Sequence, residues 1–485
     1  MTPKHETPST ELPLPPDDEP RLVPALGFFA ALAVVIGTVI GSGIFFKPQQ
    51  VASAVGDSIA LMLVLWGGCG LVNLCGALAM AELAAMLPHT GGNYVYLREA
   101  YGRLWAFLWV WAEFWVMRSG AIAALAAALA LAIKNLMLTS GHASMSPAAE
   151  RTVIIVAIAL LGVVNVAGVH WGGLVQTVTT VIKAGFLALL GMLPFWVVGS
   201  DALADAASLA VNDGVSDVVP TPEFWSHSGV IALGTALGAI MWAYDGWGQV
   251  TVVAEEVEQP RRQIPWALCV GVLLLTALYM GANWAFYTTL TAEQLANSDI
   301  AAVPVLEKLL PGFGERLTLA MLMISVFGAL NANVLVGPRV LYAASRDHRL
   351  LAPLRRIDPR TGTPAIAIVV LCGWSIVLVL LADLSAAPDE RLFDKLTGYV
   401  IFGGSIFYLA AVVAVYVLRR KMPDAPRPYR TWGYPWVPGV FVVAYVGLLA
   451  SMLLAGPIEA FSGLVLILLG AVAYAVIGRR QHEQA

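Results

Sequence analysis

The chain has 485 residues, 59% hydrophobic and only 12% charged, whereas a soluble domain carries about 25% charged residues. That composition belongs to a membrane protein. A net charge of -4, with basic residues scattered among loops, leaves no footprint for nucleic acid. All four cysteines (Cys69, Cys75, Cys269 and Cys372) lie in apolar stretches, so no disulfide framework is expected.

Taken in chain order, residues 1–24 are rich in Pro, Thr and acids and lack the basic start of a cleavable leader, so they read as a disordered cytoplasmic tail. Twelve apolar runs follow, each long enough for a transmembrane helix, at about 25–46, 59–86, 104–133, 152–169, 173–198, 229–254, 265–289, 316–343, 364–383, 396–418, 437–455 and 460–478. An all-α integral membrane fold is therefore expected. With both termini inside, eighteen of the 28 Lys and Arg fall in cytoplasmic segments, seven in exterior ones and three (Arg118, Lys183 and Arg339) within runs. The loop 199–228 is polar, acidic and exterior, and residues 479–485 form a short cytoplasmic tail. No loop is long enough for a separate soluble domain, so function must lie in the membrane.

Run one contains Gly37-Thr38-Val39-Ile40-Gly41-Ser42-Gly43-Ile44-Phe45, a glycine-rich interruption near mid-depth. Run six contains Trp242-Ala243-Tyr244-Asp245-Gly246-Trp247-Gly248, where an acidic residue joins the glycines. Interruptions at matching positions of two halves point to a transporter site built from inverted repeats, here 25–198 and 229–418, with 419–478 peripheral. Free N–H groups at the broken ends suit a carboxylate, and unwound carbonyls suit an ammonium. A zwitterion needs both. Taken alone, either motif also fits close packing of small residues between helices.

These residues carry a family resemblance. The chain resembles the amino acid–polyamine–organocation superfamily, and within it the L-type amino acid transporters and their bacterial relatives. The shared features are Ile40 to Phe45, Ala81 to Gly102, Trp242 to Trp247 leading into Ala254 to Leu268, Asn331 to Arg346, and Arg427 to Arg430. The resemblance implies the LeuT-type fold, ten helices in a 5+5 inverted repeat plus two peripheral ones, in a bacterial inner membrane. It implies that Ser42 and Gly43 meet a substrate carboxylate, that Val39, Trp242, Ala243 and Asp245 offer carbonyls to the amino group, and that Trp242 gates. Gly41, Gly43 and Gly246 supply the unwinding.

Ionisable groups inside runs cost roughly 2.5–3.5 kcal/mol each on insertion scales, so each invites a functional reading. Lys183 lies mid-run in run five and matches a family lysine that stands where sodium-driven cousins bind an ion. Sodium-independent transport is expected, with Lys183 tying the broken first helix to the bundle and able to carry a proton. Asp245 is read as a scaffold for unwound backbone ahead of direct ammonium recognition. Glu113 and Arg118 in run three are expected to compensate each other or neighbouring helices, as structural or gating residues. Arg339, Glu255 and Glu256 lie toward cytoplasmic ends, where inner-gate ion pairs and plain solvation are both open. Ser325 and Asn331 read as interhelical bonding groups ahead of site residues.

The chain departs from the family pattern in places. The loop from Asn135 to Glu150 has no cysteine, so no disulfide-linked heavy chain is expected. Ser119 replaces a family proline, and Gly248 replaces an asparagine, a change expected to reshape the pocket. No HExxH, His/Cys cluster or nucleophile elbow supports an enzyme, and no cofactor is expected. A channel would not need paired breaks. The favoured reading is an exchanger of neutral amino acids, since no mid-membrane carboxylate or arginine is clearly placed against a charged side chain; a proton-coupled symporter is the alternative.

Overall fold

The computed structural model describes residues 22–56, 58–197, 227–385, 392–455 and 457–483. The readings of residues 1–21 as a tail and of 199–226 as an exterior loop therefore lie outside the described residues. Among those described, every regular element is helical, and a lone parallel bridge joins Leu26 to Val257.

Nine of the described helices are long and apolar enough to cross a membrane, and two shorter apolar stretches, Ala365–Leu381 and Ala460–Val476, follow the same composition. Run two folds as Ile59–Met86, with the Ser58 hydroxyl accepting the Leu61 N–H as its cap. Run four starts earlier than expected, at Pro147, because Ser146 caps the Ala149 N–H and proline at the first position needs no donor. Run seven likewise begins at Pro260, and Pro265, one turn inside Pro260–Thr289, deprives the Arg261 carbonyl of its helical donor near the helix start. Run eight extends to Gly314–Asp347. Run six differs most: its α-helix ends at Tyr244, and Trp247–Glu256 continues in 3-10 geometry broken by a kink at Val253.

Val181, Val369, Val443, Leu468 and Val472 stand exposed on the long helices. In water such a surface would drive aggregation; on apolar helices of this length it faces lipid. Inside, the first helix packs against runs five, seven and eight, and run seven packs along run two. Lys183, Glu113, Arg118, Arg339, Glu256 and several Asn and Gln side chains are buried there. Buried polarity on that scale survives only where partners are supplied.

Run three carries a local departure from α geometry. Helices Arg103–Ala112 and Arg118–Thr139 are joined by a π-helical turn, Glu113–Met117. A π turn leaves carbonyls without their usual donors. Here the Ser119 hydroxyl donates to Phe114 O, and the Trp374 indole donates to Trp115 O at 3.1 Å. Ser119, at the position where the resemblance implies a proline, thus supplies a hydroxyl that satisfies the turn.

Candidate functional site

The first helix ends at Val39 and resumes at Gly43–Phe46, leaving Ile40–Ser42 unwound. The sixth run breaks at Asp245-Gly246, where Gly246 adopts φ 110°, a conformation that suits glycine. The two breaks face each other closely. A Cβ on Gly43 would lie 2.6 Å from the Ala243 Cα, and one on Gly246 would lie 2.8 Å from the Thr38 Cγ2. Only glycine permits this approach.

Between them lies a cavity lined by both breaks together with side chains of runs three and eight; Ser42, Trp242, Asp245, Arg118 and Asn333 are on its wall. Its volume is about 30 Å³, room for about two waters, so an amino acid fits only if the breaks separate. The Ser42 Oγ is buried and makes no hydrogen bond among the described residues. An unpaired buried hydroxyl beside free helical N–H groups is what a carboxylate would satisfy.

Val39 O and Ala243 O, two of the carbonyls expected for an ammonium, are bridged by the Tyr279 hydroxyl at 3.2 and 2.9 Å. Trp242 O accepts the Asp245 N–H at 3.2 Å. An arriving ammonium would thus use second lone pairs or displace Tyr279. Sequence reasoning missed Tyr279; its one signal was a tyrosine deep in run seven, away from either interface.

Lys183 reaches the other side of the first break. Its Nζ donates to Gly37 O at 2.6 Å, Ile40 O at 2.5 Å and Ser325 O at 3.5 Å. Three donors thus meet three carbonyls, a shell of the kind that otherwise holds a metal cation. The Ser325 hydroxyl reinforces it, donating to Gly41 O at 2.9 Å. Asn331 bonds between helices, to Gly172 O at 3.0 Å and Gln176 Oε1 at 3.2 Å.

Arg118 is held by both Glu113 oxygens at 3.1 and 2.9 Å and by Asn333 Oδ1 at 2.6 Å. The expected compensation is therefore direct, and the arginine reaches the cavity wall while Glu113 does not. Asp245 shares that wall, near the Tyr408 hydroxyl. Arg118, read from the sequence as a structural or gating residue, therefore adjoins the cavity alongside Asp245, which was expected there. Gly248 does not line it; a Cβ there would meet Met80 at 3.2 Å, so the expected reshaping does not occur at the wall.

Arg339 lies apart from the cavity, 0% exposed and bidentate to an equally buried Glu256 at 3.1 and 2.9 Å. Glu255 pairs with Arg346 at 2.8 Å and accepts the Thr90 N–H at 3.2 Å. Asp347 takes Arg98 at 2.8 Å and the Tyr94 hydroxyl at 2.6 Å. Ala25 and Leu26 N–H groups both donate to Glu256 O at 2.9 Å. Paired charges, and not solvation, close this end.

Broken apolar helices, a buried two-ended cavity and a lipid-facing exterior define a multi-pass membrane transporter. The Amino acid permease family matches residues 26–477, and the chain belongs to that family, within the amino acid–polyamine–organocation superfamily. It is similar to the serine/threonine exchanger SteT of Bacillus subtilis, at 31% identity covering 94% of this chain and 97% of that one. It is also similar to the human cystine/glutamate transporter, at 30% identity covering 95% and 86%, and to the mouse b(0,+)-type amino acid transporter 1, at 26% covering 93% and 86%. These relatives are transporters, not enzymes.

Proposed function

We propose that the chain is a sodium-independent exchanger of neutral amino acids that works by alternating access. In this reading twelve spans form a LeuT-type 5+5 repeat, residues 25–198 against 229–418 with 419–478 peripheral. Both termini are cytoplasmic in a bacterial inner membrane, and no disulfide-linked heavy chain takes part. The observation that carries it is the pair of facing helix breaks around a cavity where the Ser42 hydroxyl lacks a partner. The carboxylate docks at Ser42 and Gly43, and the ammonium at the carbonyls of Val39, Trp242, Ala243 and Asp245. Trp242 lies over the side chain as the gate.

Lys183 supports sodium independence, since its ammonium occupies the carbonyls that a cation would need. Neutral substrates fit because Arg118, on the cavity wall, is already matched by Glu113. One relative is named a serine/threonine exchanger, which supports exchange of neutral amino acids, whereas another is named for cystine and glutamate, the latter a charged substrate.

The test is counterflow in proteoliposomes preloaded with a labelled neutral amino acid, scanning external amino acids with and without sodium and with and without a pH gradient. Efflux should require an external neutral amino acid and ignore sodium. Uptake driven by a pH gradient without internal substrate would favour the proton-coupled reading instead.

A further inference from the structure

The π turn that presents Arg118 to the cavity also walls a second, wholly different cavity. Ala112, Val116 and Met117 of run three, Leu378, Gly403, and Ser462, Gly463, Leu466 and Ile467 of one helix enclose about 290 Å³ between four helices. Apart from the Ser462 hydroxyl, its lining offers no polar side chain. A water there would lack the two to four partners it needs, and a zwitterion would find neither charge satisfied.

We propose that this groove holds one acyl chain of a bilayer phospholipid, and that the chain buttresses the π turn of the transport site. The groove is continuous with the lipid face: Phe461, Val465 and Leu468 stand exposed on the helix that forms its rim, while Ala112, Met117, Gly403 and Gly463 form a buried floor. Its walls cannot simply collapse together. The Trp111 indole donates to Leu466 O at 3.0 Å, which fixes the rim helix against run three. Glycine makes the depth: a Cβ on Gly463 would lie 3.1 Å from the Phe402 ring, and one on Gly403 would lie 3.6 Å from Met117 Sδ.

The π turn explains why occupancy matters. Its freed carbonyls are satisfied by Ser119 and Trp374, and its Glu113 and Arg118 by each other. Val116 and Met117 have no such anchor; their packing on the groove side depends on what fills it. A void forfeits dispersion contacts on one side, and a methylene chain restores them. The filled groove therefore holds the turn that sets the five-residue spacing of Glu113 and Arg118.

The full chain reconstituted in phosphatidylcholine vesicles, with a trace of phosphatidylcholine bearing a diazirine on one acyl chain, tests this. After irradiation, labelling at Val116, Met117, Leu466 and Ile467 should exceed that at the openly exposed Val472 and should saturate. Gly463→Leu should lower groove labelling severalfold and leave Val472 unchanged; if that variant does not fold, Ile467→Trp fills the groove from its rim. Groove labelling that is no higher than at Val472, or unmoved by either variant, overturns the site. In detergent, adding phosphatidylcholine should raise the melting temperature of the wild type more than that of the filled variant, and an equal rise overturns the buttress.

Discussion

Gly43 and Ala243 bring the two helix breaks into contact: a Cβ on Gly43 would lie 2.6 Å from the Ala243 Cα and 3.0 Å from its Cβ. Backbone on both sides leaves nothing flexible to yield. Gly43→Ala should therefore cost about 1–3 kcal/mol by overpacking and suppress exchange, read by thermal unfolding and counterflow on the same preparation. Gly248→Ala is the comparison, because its nearest neighbour is the mobile end of Met80 at 3.2 Å. Equal behaviour of the two variants would mean that the breaks do not need their close approach.

Removing the Lys183 ammonium strips a donor from Gly37 O and Ile40 O, both buried in the membrane interior. Ile40 O keeps the Ser325 hydroxyl within 3.3 Å, but a buried acceptor left unpaired costs about 1–3 kcal/mol, so Lys183→Ala should lower stability and sharply reduce exchange. Lys183→Met keeps most of the volume and removes only the charge and its donors. Loss in both variants assigns the role to the ammonium; transport restored by methionine would assign it to packing.

The helix breaks were legible because glycines and an aspartate stand out against an apolar background, and membrane helices admit such residues only for a reason. Lys183 was legible on the same ground, and its partners proved to be carbonyls of the first helix. The π turn was not legible: it is held by Trp374, 259 residues away, and by Ser119 in place of a proline. Tyr279 went unseen because a tyrosine in a membrane helix gives no sign of bridging two carbonyls brought together only by the fold. The end of run six was misplaced for a related reason. Val250, Val252 and Val253 are as apolar as a helix interior, yet the first two lie in 3-10 geometry and Val253 kinks the chain out of it.

Arg339 and Glu256 form an ion pair with no exposure on either side chain. Breaking such a pair strands a charge, at a cost of about 3–5 kcal/mol. Glu256→Gln should thus destabilise strongly, whereas Glu256→Gln combined with Arg339→Met should recover much of the loss, since no charge remains buried. Thermal unfolding of the wild type, Glu256→Gln, Arg339→Met and the double variant checks this. Additive losses in the double variant would show that the two residues act independently.

Two histidines at the loop ends carry the pH dependence. Burial lowers the His89 pKa below its ordinary 6.5, with Arg346 and Arg98 adding to the effect against the pull of Glu255 and Glu99. Burial also lowers the His348 pKa, aided by Arg103 and opposed by Asp347. Its Nε2 has no partner among the described residues, and its ring packs on Phe107 and Tyr474. Both therefore fold neutral. Because the unfolded chain binds these protons more readily, stability should fall as pH drops through about 6.5 and continue to fall until the lowered folded pKa values are passed. Melting temperatures measured between about pH 7.5 and 5.5 should decline in the wild type and decline less in the double variant His89→Gln, His348→Gln. An unchanged slope in that variant would move the pH dependence to the carboxylates paired with Arg98 and Arg346.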